Sequence, residues 1–167
     1  MSRGFVKEDD QEEIPIVPPR AHLPEGVTNY VTQSGMDALL VEKENLIKER
    51  ENLNISSEKE RRIAVNYINA KLQLLSNRTS TAKIVDIKKQ PQNEVRFGAL
   101  ITLKVGNETK LQTHQIVGVD EADISKGKIS FISPIARIIT NKKVGDKALL
   151  KLPQEDRLFE IKAISYS

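Results

Sequence analysis

Residues 117–146 read VGVDEADISKGKISFISPIARIITNKKVGD, and the order of turns and apolar positions in this stretch decides the fold class. Asp120, Glu121 and Asp123 place three carboxylates within four residues, just after an apolar-rich run that ends at Val117. Gly127 marks a turn, and Lys128 to Ile132 alternates as a strand does. Ser133-Pro134 then reads as a helix start. The hydroxyl can cap, and proline fits the first helical position because the amide hydrogen it lacks would be unpaired there. Ile135, Ala136, Ile138 and Ile139 give this short helix an apolar face, and Gly145-Asp146 turns the chain into another strand. Strand, acidic turn, strand, capped short helix, turn and strand make a compact α+β unit.

Strand periodicity continues on both sides. Ala148–Leu152 and Leu158–Ile164 follow the short helix; Ala82–Ile87, Glu94–Val105 and Thr109–Val117 precede it, with Gly106-Asn107 as a turn. Further upstream the period becomes helical. Leu39, Leu46 and Leu53 recur at seven, with Leu40 and Ile47 beside them, which predicts a helix of about twenty residues from Thr32. Asn52 to Ser57 interrupts it. Ser57 with Glu60 forms a capping box for a second helix over Glu58–Ser76, whose stripe is Ile63, Tyr67, Ile68, Leu72, Leu74 and Leu75. Glu44 before Lys48 and Glu58 before Arg62 have the favourable spacing for exposed helix pairs. Two helices with a short polar connection pack antiparallel. The expected organisation is an extended acidic, proline-rich arm over 1–29, a helical hairpin (coiled coil) over 30–78 and an α+β domain over 79–167. The arm shows no period of either kind, although Ile14, Ile16, Val17 and Leu23 could pin part of it to a groove.

Composition removes whole classes of function. With no cysteine there are no disulfides, thiolate metal sites or cysteine nucleophiles. His22 and His114 fall in different segments, so a histidine-based metal centre is not expected. No apolar run approaches the roughly 18 residues of a membrane span, and the charged stretch Lys7–Glu13 leaves no signal-peptide core, so a cytoplasmic location is expected. Residues 1–27 carry three basic and six acidic groups, and the remainder is net positive with 23 against 17. Such a body can approach nucleic acid or an acidic partner. Its cations are dispersed and aromatics are few, which argues against binding of free duplex. Ser130 and Ser133 have no neighbouring histidine, and no phosphate-cradling glycine loop exists, so neither a catalytic constellation nor a cofactor site is expected.

The stretch 117–146 closely resembles the C-terminal domain of the bacterial Gre transcript-cleavage factors, GreA and GreB, in which a D-E-A-D run, an S-P-I-A-R helix start and a G-K-x-x-G-D turn recur in this order. Here the last element is Asn141-Lys142-Lys143-Val144-Gly145-Asp146, with Asn in place of the first Gly, and Ile138 is bulky where the family has a small residue. Tyr30 to Leu39 is similar to the family's opening, a threonine, two residues, a glycine and then an amphipathic helix. Ala70-Lys71-Leu72 and Ala82 to Asp86 are similar to the exit from its coiled coil. The likeness covers about residues 30–167. It implies an FKBP-like C-terminal domain, RNA polymerase as partner, only indirect contact with nucleic acid inside an elongation complex, and a monomer. It also implies a docking surface made of Asp120, Glu121, Asp123, Ser133, Pro134, Ile135, Ala136 and Arg137.

In the family the hairpin enters the secondary channel of the polymerase, where two acids in a G-D-x-x-E-N type tip help to hold a magnesium ion and a water. A hard cation needs carboxylate oxygens at bonding distance. The tip here, Asn54-Ile55-Ser56-Ser57-Glu58-Lys59-Glu60-Arg61-Arg62, has neither Gly-Asp nor Glu-Asn. Its acids, Glu58 and Glu60 with Glu51 nearby, are interleaved with cations, and the hairpin is shorter than a cleavage factor's. Weak or absent stimulation of cleavage is therefore expected, with any magnesium supplied through the polymerase. Three alternatives carry different expectations: a short-hairpin regulator resembling the regulator of nucleoside diphosphate kinase, a peptidyl-prolyl isomerase, and a scaffold for another protein. The isomerase would need an aromatic-lined pocket, and the four Phe and three Tyr are scattered along the chain.

Overall fold

The computed structural model describes residues 14–167, so residues 1–13 of the expected arm lie outside the described residues. From residue 14 to residue 29 the chain has no helix or strand. Strand β1 (Tyr30–Val31) leads into helix α1 (Gln33–Glu51), and helix α2 (Glu58–Thr81) returns to strand β2 (Lys83–Ile84). β1 and β2 pair in parallel and clamp the open end of the hairpin.

Each helix starts where its cap dictates. The Thr32 hydroxyl accepts the Gly35 amide at 2.9 Å, and the Ser57 hydroxyl accepts the Glu60 amide at 3.4 Å. Leu39 and Leu46 of α1 pack with Ile68 and Leu75 of α2, and Leu53, Leu72 and Met36 close the sides. The expected second stripe was too wide: Ile63 and Leu74 are exposed, because only positions at i, i+4 and i+7 from Ile68 face α1. α2 also runs five residues past the expected end at Ser76. The hydroxyls of Thr79, Ser80 and Thr81 donate back to the carbonyls of Ser76 and Asn77, and the Asn29 amide donates to the Arg78 carbonyl and the Thr81 hydroxyl, which satisfies one of the free carbonyls of the last turn.

The C-terminal domain is α+β, as expected. Strands β3 (Leu100–Val105), β4 (Gln112–Val117), β5 (Lys128–Ser130), β6 (Lys147–Lys151) and β7 (Asp156–Ser165) form one sheet in the order β5-β4-β3-β7-β6. Only the β4–β5 pair is parallel, because the acidic turn carries the chain back across one end of the sheet. Ile101, Leu103 and Val105 alternate inward from β3 and meet Ile116, Phe159 and Ile161. Helix α3 (Pro134–Ile139) covers this face with the buried Ala136 and Ile139 and packs on β6.

The expected strand over 94–105 begins only at Leu100. Residues 94–95 pair instead with the 141–143 loop, through Val95 N–H to the Lys142 carbonyl and Asn141 N–H to the Val95 carbonyl, both at 2.8 Å. Gly98, at φ +89, then redirects the chain into β3. Tyr166 fixes the same segment: its hydroxyl donates to the Glu94 carbonyl and accepts the Arg96 amide. Over 82–87, only Lys83 and Ile84 are strand, and Asp86 caps a 3-10 turn at Ile87–Lys89. No helix among the described residues is long and apolar enough to cross a membrane.

Candidate functional site

Two short motifs far apart in sequence meet where the hairpin joins the C-terminal domain. Thr32 and Gly35 open α1; residues 118–123 form the turn after β4. Thr32 donates its hydroxyl to Glu121 Oε1 at 2.5 Å while accepting from Gly35, and Lys128 reaches Glu121 Oε2 at 3.3 Å. Two glycines leave room for the close approach of these segments. A methyl at Gly35 would lie 2.8 Å from Glu121 Oε1, and one at Gly118 would lie 2.5 Å from the Tyr30 carbonyl oxygen. Tyr30, Phe97 and Phe131 stack against each other at the same junction, with ring centroids 5.6–5.9 Å apart. Aromatics that are scattered in sequence are gathered here by β1 and the two segments beside it.

Asp120 is the most enclosed of the three clustered acids, with its side chain only 6% exposed. Its Oδ1 accepts from Arg20 Nε at 2.9 Å, and its Oδ2 faces Arg78 Nη1 at 3.7 Å, a distance for ion pairing but not hydrogen bonding. Arg20 also grips Glu42 of α1 through two parallel bonds of 2.8 and 3.1 Å. Glu42 first, and Asp120 with it, hold the guanidinium's pKa above its ordinary value against the opposing effect of burial. Asp123 turns inward to its own loop. It accepts the Ser125 amide and hydroxyl and caps the 3-10 turn at Ile124–Lys126, which lowers its pKa below the ordinary 3.8.

The acidic trio was expected to face a partner. Asp120 and Glu121 are engaged within the chain by Arg20, Arg78, Thr32 and Lys128, while Asp123 bonds Ser125 in its own loop and keeps contact with solvent. No group of three or more ligating residues placed to hold a metal ion occurs among the described residues. Sequence reading missed Arg20, Glu42 and Arg78. The one available signal was that Arg20 is the only cation between Glu8 and Val27.

The remaining predicted site residues divide by exposure. Ser133 caps α3 at the Ala136 amide (3.3 Å), Ile135 packs on the core, and Ala136 is fully buried, so these three hold the fold. Pro134 and Arg137 are exposed. At the hairpin tip Glu51, Glu58 and Glu60 are all exposed, on the last turn of α1 and the first of α2. Glu58 and Glu60 complement the positive end of the α2 dipole. Arg50 ties the two helices behind the tip through Asn69 at 2.7 Å. His114 is half-buried on β4 beside Gln112, and burial draws its pKa below 6.5; His22 is exposed.

Residues 90–166 match the family model described as transcription elongation factor, GreA/GreB, C-terminal. The chain is 38% identical over 116 residues to a transcription elongation factor GreA of Maricaulis maris, covering 70% of this chain and 72% of that protein. A GreA of Hyphomonas neptunium is 37% identical over 100 residues, covering 60% and 64% of the two chains. A GreA/GreB structure from Nitrosomonas europaea superposes with a TM-score of 0.41 at 17% identity, over 82% of this chain and 98% of the other, too loose a likeness to argue from.

Proposed function

Because the chain belongs to the GreA/GreB family of transcription elongation factors, we propose that it binds RNA polymerase with its hairpin at the secondary channel and stimulates transcript cleavage weakly or not at all. The carrying observation is the tip. Its three exposed acids, Glu51, Glu58 and Glu60, are shared with Lys59, Arg61 and Arg62 in sequence, and two of them sit on a helix N-terminus. Carboxylates that already have a favourable positive neighbour recruit a second cation poorly. The chain acts as a regulator and not as an enzyme: bond cleavage and its magnesium belong to the polymerase, and no cofactor is carried. Filling the channel entrance obstructs nucleotide traffic or excludes a cleavage factor, and the factor works as a cytoplasmic monomer.

Docking is assigned to the exposed side of α3, with Pro134 and Arg137 in contact and Ser133, Ile135 and Ala136 supporting them from beneath. Asp120, Glu121 and Asp123 contribute by shaping the adjoining loop.

The test is a backtracked elongation complex with labelled RNA at saturating factor. Little cleavage above the factor-free rate is expected, together with competition against a cleavage-proficient factor. Robust cleavage that disappears in Glu58→Ala or Glu60→Ala would overturn the reading of the tip. Arg137→Ala should weaken binding to core polymerase by about tenfold or more while leaving the melting temperature unchanged.

A further inference from the structure

We propose that residues 18–21 of the N-terminal arm are a strap that sets the angle at which the hairpin leaves the C-terminal domain, with Arg20 as the positioning residue. Two adjacent residues of the arm touch three separate parts of the molecule. Arg20 holds Glu42 of α1 by two bonds and Asp120 of the C-terminal domain by a third, and the Ala21 carbonyl accepts from Arg78 of α2. The arm is therefore bonded to both helices and to the domain they project from.

The points of attachment give the strap leverage. The joint described above lies at the base of the hairpin, at Thr32, Tyr30 and the β1–β2 pair. Glu42 is ten residues beyond Thr32, about 15 Å further along the helix axis. A hairpin held only at its base can tilt, and α1, 19 residues long, extends about 28 Å, so a tilt of about 20° carries the tip through about 10 Å. A second attachment at Glu42 opposes that tilt.

The arm forms one wall of an open cleft of about 360 Å³, through Pro18 and Pro19, which is also lined by Leu46, Lys71 and Leu74 of the hairpin and Val119 of the domain. Pro18 and Pro19 have fixed φ angles, which reduces the entropy lost in holding Arg20 in place. Arg20 suits the task because its planar fork can satisfy one carboxylate bidentately while Nε serves another.

The absence of cysteine makes the test direct. Spin labels placed through Asn54→Cys at the tip and Thr113→Cys on β4, both exposed positions, report the hairpin–domain distance by pulsed electron paramagnetic resonance. A single narrow distribution is expected for the otherwise unaltered chain. Arg20→Ala should broaden or shift it on the scale of the tilt above, about 10 Å. Glu42→Ala, which cuts only the upper attachment and leaves Asp120 paired with Arg20 and Arg78, should do the same with circular dichroism unchanged. Distributions in both variants that superimpose on the unaltered one would overturn the proposal. Polymerase plays no part in this measurement, so its outcome is independent of the functional reading.

Discussion

Gly118→Ala tests whether the turn after β4 is fixed against the hairpin base. Gly118 has no positive φ, so alanine meets no backbone strain of its own. The obstacle is the Tyr30 carbonyl oxygen, 2.5 Å from where the methyl would sit, with the Val31 Cα at 3.6 Å. That oxygen belongs to β1, which is paired with β2, and cannot swing aside as a side chain would. Overpacking of this kind costs about 1–3 kcal/mol. Alanine also stiffens the unfolded chain, which offsets about 0.4–1 kcal/mol of that cost. The net loss of about 1–2 kcal/mol should lower the melting temperature by about 2–8 °C for a chain of this length. Thermal unfolding by far-ultraviolet circular dichroism reads the shift, and the near-ultraviolet signal of Tyr30 should change as its ring moves from Phe97 and Phe131. The two effects have opposite signs, so the outcome is decisive. A melting temperature equal to or above that of the unaltered chain would mean that β1 is free to move away from the turn, and the joint would not be rigid.

Thr32→Val keeps the shape but removes both the cap on Gly35 and the donor to Glu121; a loss of about 2 kcal/mol or more is expected in chemical denaturation, and a loss under about 0.5 kcal/mol would deny the hydroxyl its double role. Asn141 has φ +71, so Asn141→Ala should cost about 1 kcal/mol while Asn141→Gly is neutral or better, and equal stability of the two variants would contradict the conformational account. Asp123 titrates below 3.8 chiefly because of the Ser125 hydroxyl, so Ser125→Ala should raise its midpoint toward that value in a carbon-detected NMR titration. Because the folded value is depressed, the stability Asp123 contributes is present above about pH 3.8 and is lost as pH falls through the folded value; an unmoved midpoint in Ser125→Ala would assign the shift to another group.

Local chemistry was legible from sequence wherever a residue acts on its near neighbours. Ser57 and Ser133 cap the helices they precede, and Ile101, Leu103 and Val105 alternate into the core, because caps and periods act within a few residues. Asn141 stands where the resembled family has glycine, and it keeps the left-handed φ that the position imposes. Other boundaries depended on distant partners. Glu94 and Val95 left the sheet because the 141–143 loop offered pairing, and the last turn of α2 is met by Asn29, whose amide donates to the Arg78 carbonyl and the Thr81 hydroxyl. The candidate site diverged most. A run of three carboxylates reveals its charge but not its partners, since the sequence does not show which cation will lie within 3 Å. Only the tertiary structure placed Arg20, one hundred residues away, on Asp120, and Thr32, 89 residues away, on Glu121. Sequence determined what each segment could become; long-range pairing decided that the acids join the hairpin to the domain, because a buried charge must be matched by whatever the fold brings beside it.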